Sequence, residues 1–248
     1  MRSSRLDLGK YDSDKIENRY LDWYSPFLEP FINKKIVLLE LGVYKGGSLL
    51  LWRDYFPFGT IVGIDIKLQE SFQNVERIHV FEGSQADIQF LSRVANEIAP
   101  ERFDIIIDDA SHIGELTKIA FWHLFDYHLK PGGLYVIEDW GTGYWDDWPD
   151  GKSLDLDVDS RKGLVRGLMH NPLWLKIARR LLPKSSWPCH SYGMVGFVKQ
   201  LIDEQGASNV TRKKLQGKSK RASKFDTMVI TPSIVFIKKA NYLSRNSD

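Results

Sequence analysis

The chain has 248 residues, and 34 lysines and arginines against 32 aspartates and glutamates give it a formal net charge of +2. This near balance excludes a strong overall attraction to nucleic acids or anionic membranes. The single cysteine, Cys189, excludes an internal disulfide and a cysteine-built zinc site, as expected in a reducing compartment. No segment has the ~20 apolar residues that a membrane span needs. We therefore expect a cytoplasmic protein that does not enter a membrane.

Short apolar segments rich in β-branched residues predict five buried strands, at 35–42, 60–66, 77–83, 103–109 and 133–139. The stretches between them carry helical periodicity, as in "ADIQFLSRVANEI". This alternation predicts a doubly wound, mostly parallel α/β sheet with helices on both faces. The glycine pair of "KPGG" at 130–133 predicts a sharp helix stop before the fifth strand.

The pattern changes after residue 140. Two segments predict helices, "GLVRGLMHNPLWLKIARRLL" and "SYGMVGFVKQLIDEQ". A final hairpin around Pro232 is predicted by "DTMVITP" and "SIVFIKKA", so that one closing strand of the sheet is antiparallel. The basic segment 212–224, "RKKLQGKSKRASK", is typical of a solvated loop, with a nucleic-acid-binding arm as the alternative.

The segment "LELGVYKGGSLLLW" at 39–52 predicts a strand, a glycine turn and a helix start, where open α/β folds bind nucleotide-like ligands. Tyr44 stands where a pyrophosphate-binding turn needs glycine, and the Glu40 carboxylate would repel phosphate. A cationic ligand such as S-adenosylmethionine fits better, and Asp65 can accept hydrogen bonds from both ribose hydroxyls. The alternative is a tight turn without a ligand. Room for the ligand comes from the glycines of the turn, Gly42, Gly46 and Gly47.

Two apolar segments, "FDIIIDDASH" and "YVIEDW", each run into a pair of acids. Because the carboxyl ends of neighbouring parallel strands meet at one sheet edge, we expect Asp109, Glu138 and Asp139 to bind Mg²⁺ or a similar divalent cation together. Side chains alternate along a strand, so Asp109 is predicted to face this site and Asp108 to make structural hydrogen bonds. By the same rule, Glu138 and Asp139 can share the site only if the strand has already given way to a loop.

His112 lies three residues beyond Asp109, in the predicted loop. An imidazole titrates near neutral pH, so His112 can take a proton from a bound hydroxyl and is the candidate general base. The alternative is a surface or capping histidine. We expect the other five histidines, which have no comparable company, to be structural or exposed.

An ordered series of motifs resembles one known family: "LLELGVYKGGSL", "GIDI", "GSQAD", "IIDDASH" and "LKPGGLYVIEDW". The series is similar to class I S-adenosylmethionine-dependent methyltransferases of the macrocin and mycinamicin sugar O-methyltransferase group, whose relatives are called cephalosporin-hydroxylase-like. The resemblance covers about residues 10–140. It implies a Rossmann-like fold of seven strands with the last antiparallel, S-adenosylmethionine as methyl donor, and a magnesium ion that binds two neighbouring hydroxyls of a sugar.

Residue by residue, the resemblance implies Asp109, Glu138 and Asp139 as metal ligands and His112 as the base. It also implies cofactor contacts from the glycine turn and the strand ends, namely Glu40, Gly42, Ser48, Asp65, Gln85 and Asp109. Gly46 and Ser84 complete the predicted cofactor-binding set, although Ser84 in "GSQAD" stands where relatives commonly carry an acid. Near the N-terminus, "YDSDK" and "RYLDWY" resemble a segment that closes over the site in relatives.

We expect one methyltransferase domain over 1–248, made of a helical lid segment (1–34), a cofactor-binding core (35–139), an acceptor-side insertion with helices (140–205) and closing strands (206–248). The predicted activity is metal-dependent O-methylation of a sugar or glycosylated natural product. The expected partner is this small-molecule acceptor, without membrane or nucleic acid, and self-association is left open. The alternatives are a metal-independent small-molecule methyltransferase, a nucleic-acid methyltransferase that uses 212–224, and a catalytically silent binder of S-adenosylmethionine.

Overall fold

The computed structural model describes residues 2–68, 75–156, 190–212 and 214–241. The helix predicted at 163–182 and the single cysteine lie outside these ranges. No helix within the described ranges is both long and apolar enough to cross a lipid bilayer.

One mixed sheet organises the described part of the chain. Its strands are β1 Val37–Leu41, β2 Thr60–Asp65, β3 Ile78–Glu82, β4 Phe103–Asp108, β5 Leu129–Glu138, β6 Phe225–Ile230 and β7 Ile234–Lys239. They lie in the order β3-β2-β1-β4-β5-β7-β6. Neighbours among the first five strands in this order, β3, β2, β1, β4 and β5, pair in parallel. β7 is antiparallel to both β5 and β6. The predicted doubly wound, mostly parallel sheet with an antiparallel last strand is confirmed.

Helices connect the strands and precede the first of them. The α-helices are α1 Asp14–Glu17, α2 Tyr20–Leu28, α3 Gly47–Tyr55, α4 Ile88–Ile98, α5 Gly114–His123, α6 Pro149–Leu156, α7 Gly193–Gln205 and α8 Ala207–Val210. Short 3₁₀ turns are at Ser3–Arg5, Leu8–Lys10, Glu29–Phe31 and Trp140–Tyr144.

Burial on both faces explains the continuous apolar runs of the central strands. Successive residues of β1 belong to different cores: Leu39 packs in a cluster with Phe121 of α5, whereas Leu38 packs in a cluster with Trp52 of α3. All four side chains are at most 1% exposed. β1 therefore has no polar face, and its single acid, Glu40, lies next to its carboxyl end.

Helical structure ends at His128, two residues before "KPGG", in agreement with the predicted helix stop before the fifth strand. α5 ends earlier, at His123, and a single π-helical turn, Leu124–His128, leads directly into β5. Residues 130–133 already belong to β5, next to an irregularity in its pairing with β4 between Phe103 and Ile105. Gly132, at φ 72°, permits the backbone conformation required there.

The strand register brings the polar strand ends together. Leu41 of β1 pairs with Asp108 of β4, and Asp108 pairs with Ile137 of β5. The residues that follow these pairs, Gly42, Asp109 and Glu138, are therefore neighbours at the carboxyl edge of the sheet.

Candidate active site

A cavity of about 1030 Å³ opens at the carboxyl edge of the sheet. Its walls are the N-terminal residues 12–15 and Glu17, the glycine turn 41–48, the end of β2 with residues 64–68, the loop 83–85, and residues 109–112, Leu116 and Asp139. Most of the predicted cofactor-binding residues line it: Gly42, Gly46, Ser48, Asp65, Ser84, Gln85 and Asp109. A volume of this size holds a ligand as large as a nucleoside derivative with further space beside it.

Two glycines of the turn allow backbones to approach closely. Gly42 has a φ of 90°, and a Cβ there would overlap the main-chain carbonyl of Asp109. A Cβ at Gly47 would overlap the main chain of Asp12, in the N-terminal segment. Gly42 thus packs β1 against the loop after β4, and Gly47 lets the N-terminal segment cross the start of α3.

Asp65 fixes the shape of the glycine turn from the end of β2. Its Oδ2 accepts hydrogen bonds from the backbone N–H groups of Val43 (2.7 Å) and Tyr44 (3.0 Å). Its Oδ1 accepts one from Lys67 N–H at 3.0 Å. A carboxylate has about four acceptor positions, so one remains for a hydroxyl in the cavity.

Glu40 does not line the cavity. Its side chain is 0% exposed and accepts hydrogen bonds from Ser48 Oγ (2.7 Å) and Trp52 Nε1 (3.0 Å). Burial raises the pKa of Glu40, which the positive charge of Lys15 and the Ser48 hydrogen bond oppose. Glu40 and Ser48, both predicted to contact the cofactor, thus bind each other, and only Ser48 reaches the cavity wall.

Asp108 points into the protein, as the strand alternation predicts. It is 2% exposed and accepts hydrogen bonds from Tyr135 Oη (3.3 Å) and Gln85 Nε2 (3.4 Å). Burial raises the pKa of Asp108 to about 7. Gln85 also accepts a bond from Ser111 N–H at 3.1 Å, so it joins the loop after β3 to the loop after β4. Ser84 accepts a bond from Ala86 N–H within its own loop.

The acids at the ends of β4 and β5 converge with His112. Asp109 Oδ1 is 3.7 Å and Asp139 Oδ2 is 3.9 Å from His112 Nε2. β5 ends at Glu138, and Asp139 has left-handed backbone angles (φ 51°, ψ 35°). Glu138 and Asp139 can therefore face the same site, because the strand, and with it the alternation of side chains, has ended before Asp139.

Glu138 lies deeper than its neighbours. Its side chain is 0% exposed, and Tyr24 donates a hydrogen bond to Oε1. The other oxygen, Oε2, is buried without a hydrogen-bond partner among the described residues. Burial, together with the charge of Asp109, raises the pKa of Glu138 well above its ordinary value.

Lys15 is the residue of this site that the sequence did not identify. Its side chain is 1% exposed, and its Nζ is 2.5 Å from Asp109 Oδ2, 3.2 Å from Glu138 Oε1 and 3.4 Å from Glu40 Oε1. Burial alone would lower the pKa of Lys15, but the three carboxylates outweigh it and raise the pKa well above its ordinary value. The ammonium is therefore charged. The only signal in the sequence was its place in "YDSDK", which resembles a segment that closes over the site in relatives but assigned no role to this lysine.

His112 is held by its backbone and by an aromatic neighbour. Its φ of 51° is left-handed, and its carbonyl accepts a hydrogen bond from Thr142 Oγ1 at 3.4 Å. The imidazole centroid lies 5.7 Å from a ring centroid of Trp148. Trp148 lies directly before α6, in the segment that follows β5.

The charged groups fit a divalent cation. Asp109, His112 and Asp139 each offer one ligand atom, and these atoms lie within 4.8 Å of one another. Carboxylate oxygens are the ligands that Mg²⁺ prefers. The buried Oε2 of Glu138 is a further acceptor without a donor.

Comparison with known proteins identifies relatives of the chain. No protein-family model matches it. Mycinamicin VI 2''-O-methyltransferase of Micromonospora griseorubida is 34% identical to it over 225 residues, which are 79% of this chain and 54% of that enzyme. Demethylmacrocin O-methyltransferase of Streptomyces fradiae is 36% identical over 221 residues, 79% of this chain and 55% of that enzyme. The chain belongs to the macrocin and mycinamicin O-methyltransferase group. The resemblance inferred from the motifs is confirmed.

A solved structure agrees with this assignment. The MycE methyltransferase of the mycinamycin biosynthetic pathway, in complex with Mg and SAH, superposes with a TM-score of 0.64 and 29% sequence identity. The matched region is 90% of this chain and 50% of that one. This member of the O-methyltransferase group thus spans about half the length of the curated relatives it matches.

Proposed function

We propose that the chain is an S-adenosylmethionine-dependent, divalent-metal-dependent O-methyltransferase that acts on a hydroxyl of a sugar or glycosylated small molecule. The observation that carries the proposal is the position of His112 between Asp109 and Asp139 at the wall of the cavity. An imidazole beside two carboxylates, in a cleft at the carboxyl edge of a doubly wound sheet, is suited to remove a proton from a bound hydroxyl. The relatives named above, a mycinamicin VI 2''-O-methyltransferase and a demethylmacrocin O-methyltransferase, support the same reaction.

The cofactor half of the proposal rests on the glycine turn and Asp65. Asp65 lines the cavity and, beyond its three backbone bonds, has acceptor capacity left for a ribose hydroxyl. Asp109 and the N-terminal residues 12–15 also line the cavity. The cavity has room for both a methyl donor and an acceptor.

The metal half rests on Asp109, Glu138 and Asp139, which would hold the ion. A divalent cation held there would supply a positive charge that lowers the pKa of an acceptor hydroxyl. His112 Nε2 accepts the proton of this hydroxyl. The hydroxyl oxygen forms a bond to the methyl carbon of S-adenosylmethionine, while the bond between that carbon and the sulfur breaks. The proton passes from His112 to solvent, so that charge and atoms balance. Positioning by the cavity walls and proton removal by His112 are the contributions of this chain.

His112 could contribute either a proton acceptor or a metal ligand, and one variant separates the two roles. For His112→Asn, we expect kcat to fall by about 100-fold or more, while the affinities for Mn²⁺ and S-adenosylhomocysteine stay within about 2-fold. His79→Asn, on an exposed position of β3, is the matched control. A weakened Mn²⁺ affinity would make His112 a ligand, and an unchanged rate would remove it from the reaction.

The assay uses labelled S-adenosylmethionine, Mg²⁺ and a panel of deoxysugar glycosides, with a chelated control. Turnover that persists after chelation would favour a metal-independent methyltransferase. The nucleic-acid alternative has less support from the basic segment: Arg221 pairs with Glu204 and Lys224 pairs with Asp126, so these two cations already have acidic partners within the chain. Binding to RNA that falls steeply with salt would revive that alternative.

A further inference from the structure

We propose that Lys15, Tyr20 and Tyr24 are positioning residues for the metal site, each fixing one carboxylate oxygen so that the other is presented to the ion. This inference rests on the proposed metal-dependent function. It adds the N-terminal helices α1 and α2 to the site as its outer shell of hydrogen-bond donors.

The three acids of the proposed metal site, Asp109, Glu138 and Asp139, share one pattern of contacts. Lys15 Nζ binds Asp109 Oδ2 at 2.5 Å, and Asp109 Oδ1 is the oxygen that faces His112. Tyr20 Oη donates to Asp139 Oδ1 at 2.5 Å, and Asp139 Oδ2 is the oxygen that faces His112.

Glu138 follows the same pattern. Tyr24 donates to Oε1, which also lies 3.2 Å from Lys15 Nζ. Its second oxygen, Oε2, is buried and has no hydrogen-bond partner among the described residues. In each acid, therefore, one oxygen is held by a donor from residues 15–24 and the other is not.

The donors are themselves held in place. Tyr20 and Tyr24 are four residues apart in α2, so their side chains lie on one face of the helix. The ring of Tyr24 packs against Trp52 and Phe236, with centroids 5.2 and 5.3 Å away. Tyr20 and Lys15 are 6% and 1% exposed. Donors with so little freedom fix the rotation of the carboxylates they bind.

Fixed rotation matters because a metal ion requires its ligand oxygens at defined positions. A carboxylate that can pivot pays an ordering cost when the ion binds, and hydrogen bonds to the non-ligating oxygen remove that cost beforehand. Loss of such outer partners typically weakens metal affinity 10- to 100-fold. Phenylalanine removes the hydroxyl and keeps the ring, so the charge of the cluster is unchanged. Substitution of Lys15 would also change that charge, and the tyrosines are therefore the sharper test.

The experiment measures Mn²⁺ affinity of the full chain by electron paramagnetic resonance, without acceptor or turnover. For Tyr20→Phe and for Tyr24→Phe we expect at least about a 10-fold weaker Mn²⁺ affinity. Calorimetry should give an S-adenosylhomocysteine affinity within about 2-fold of the wild type. The matched control is Tyr55→Phe. Tyr55 is fully buried, and its hydroxyl makes no hydrogen bond to Asp109, Glu138 or Asp139 within the described part of the chain.

Circular dichroism identifies a variant that does not fold, and Tyr20→Phe, at the more accessible position, then decides the test alone. Wild-type-like Mn²⁺ affinity in folded tyrosine variants would overturn the inference while leaving the metal site intact. An equal loss of Mn²⁺ affinity in Tyr55→Phe would also overturn the inference, because the cause would then be altered packing and not the loss of a hydrogen bond to an acid. A wild-type chain that does not bind Mn²⁺ would overturn both the inference and the metal half of the proposed function.

Discussion

Replacing Asp108 by asparagine should stabilise the protein at alkaline pH much more than at acidic pH. Asp108 is 2% exposed, and burial raises its pKa from 3.8 to about 7, with a smaller contribution from the charge of Asp109. Hydrogen bonds from Tyr135 and Gln85 oppose the shift without cancelling it. The folded protein therefore disfavours the ionised form of this side chain, which asparagine cannot adopt.

The sign and size follow from proton linkage. Below the unfolded-state pKa the carboxyl is protonated in both states and carries no penalty, and the penalty grows as the pH rises until it passes the folded-state pKa. A shift from 3.8 to about 7 corresponds to roughly 4 kcal/mol once the pH exceeds both values. Between pH 5 and pH 8, this penalty increases by about 2.5 kcal/mol. The asparagine variant should gain that difference relative to the wild type.

Urea unfolding at pH 5 and pH 8 measures the difference directly, as the change in free energy of unfolding between variant and wild type at each pH. Asp226→Asn is the control, because that carboxylate is 42% exposed and pairs with the half-exposed Lys238. A stability difference for Asp108→Asn that is the same at both pH values would refute the reasoning. It would mean that Asp108 is ionised at little cost, and that the assignment of Asp108 to structure and Asp109 to the site lacks its energetic basis.

Two further substitutions test the neighbourhood of the acids. Lys15→Met should reduce the free energy of unfolding by about 3–5 kcal/mol in urea titrations at pH 8, because it leaves buried carboxylates without their cation; a loss below about 1 kcal/mol would contradict the charged, buried pairing. Gly42→Ala should abolish binding of S-adenosylhomocysteine in calorimetry, because the left-handed φ and the overlap with the Asp109 carbonyl force the turn to move. Unchanged affinity there would show that the turn does not shape the ligand site.

Much of the fold could be predicted because buried parallel strands leave a direct signal. The apolar runs that end at Leu41, Asp108 and Glu138 marked β1, β4 and β5, and the rule that parallel strands share a carboxyl edge placed their acids together. The alternation of side chains also assigned Asp108 to the interior. These inferences use only local periodicity and one topological rule, which is why they hold.

The remaining features depend on contacts between distant parts of the chain. Tyr20 and Tyr24 meet Asp139 and Glu138 across 119 and 114 residues of sequence, and no local pattern encodes such a pair. The left-handed turn at Asp139 is equally invisible in a run of apolar residues followed by acids. The resemblance implied a cofactor contact from Glu40, whereas the partners of Glu40 in the structure include Lys15, whose burial could not be predicted from "YDSDK".

The balance of charge at the carboxyl edge of the sheet connects Lys15 of α1 with the acids of the proposed metal site. Three carboxylates, those of Glu40, Asp109 and Glu138, lie within 3.4 Å of one ammonium, that of Lys15, and a fourth, that of Asp139, lies beside His112. Burial is the main cause of the raised pKa of both Glu138 and Asp109, and the charge of Asp109 raises that of Glu138 further. An excess of buried negative charge is therefore unfavourable at this site. A divalent cation would relieve this excess more completely than a second lysine, because it carries two charges and leaves coordination positions open to a substrate. Since Lys15 lies in the cavity wall 12–15 and pairs with three of these carboxylates, we expect the packing of this segment to affect the affinity of the acids for a cation.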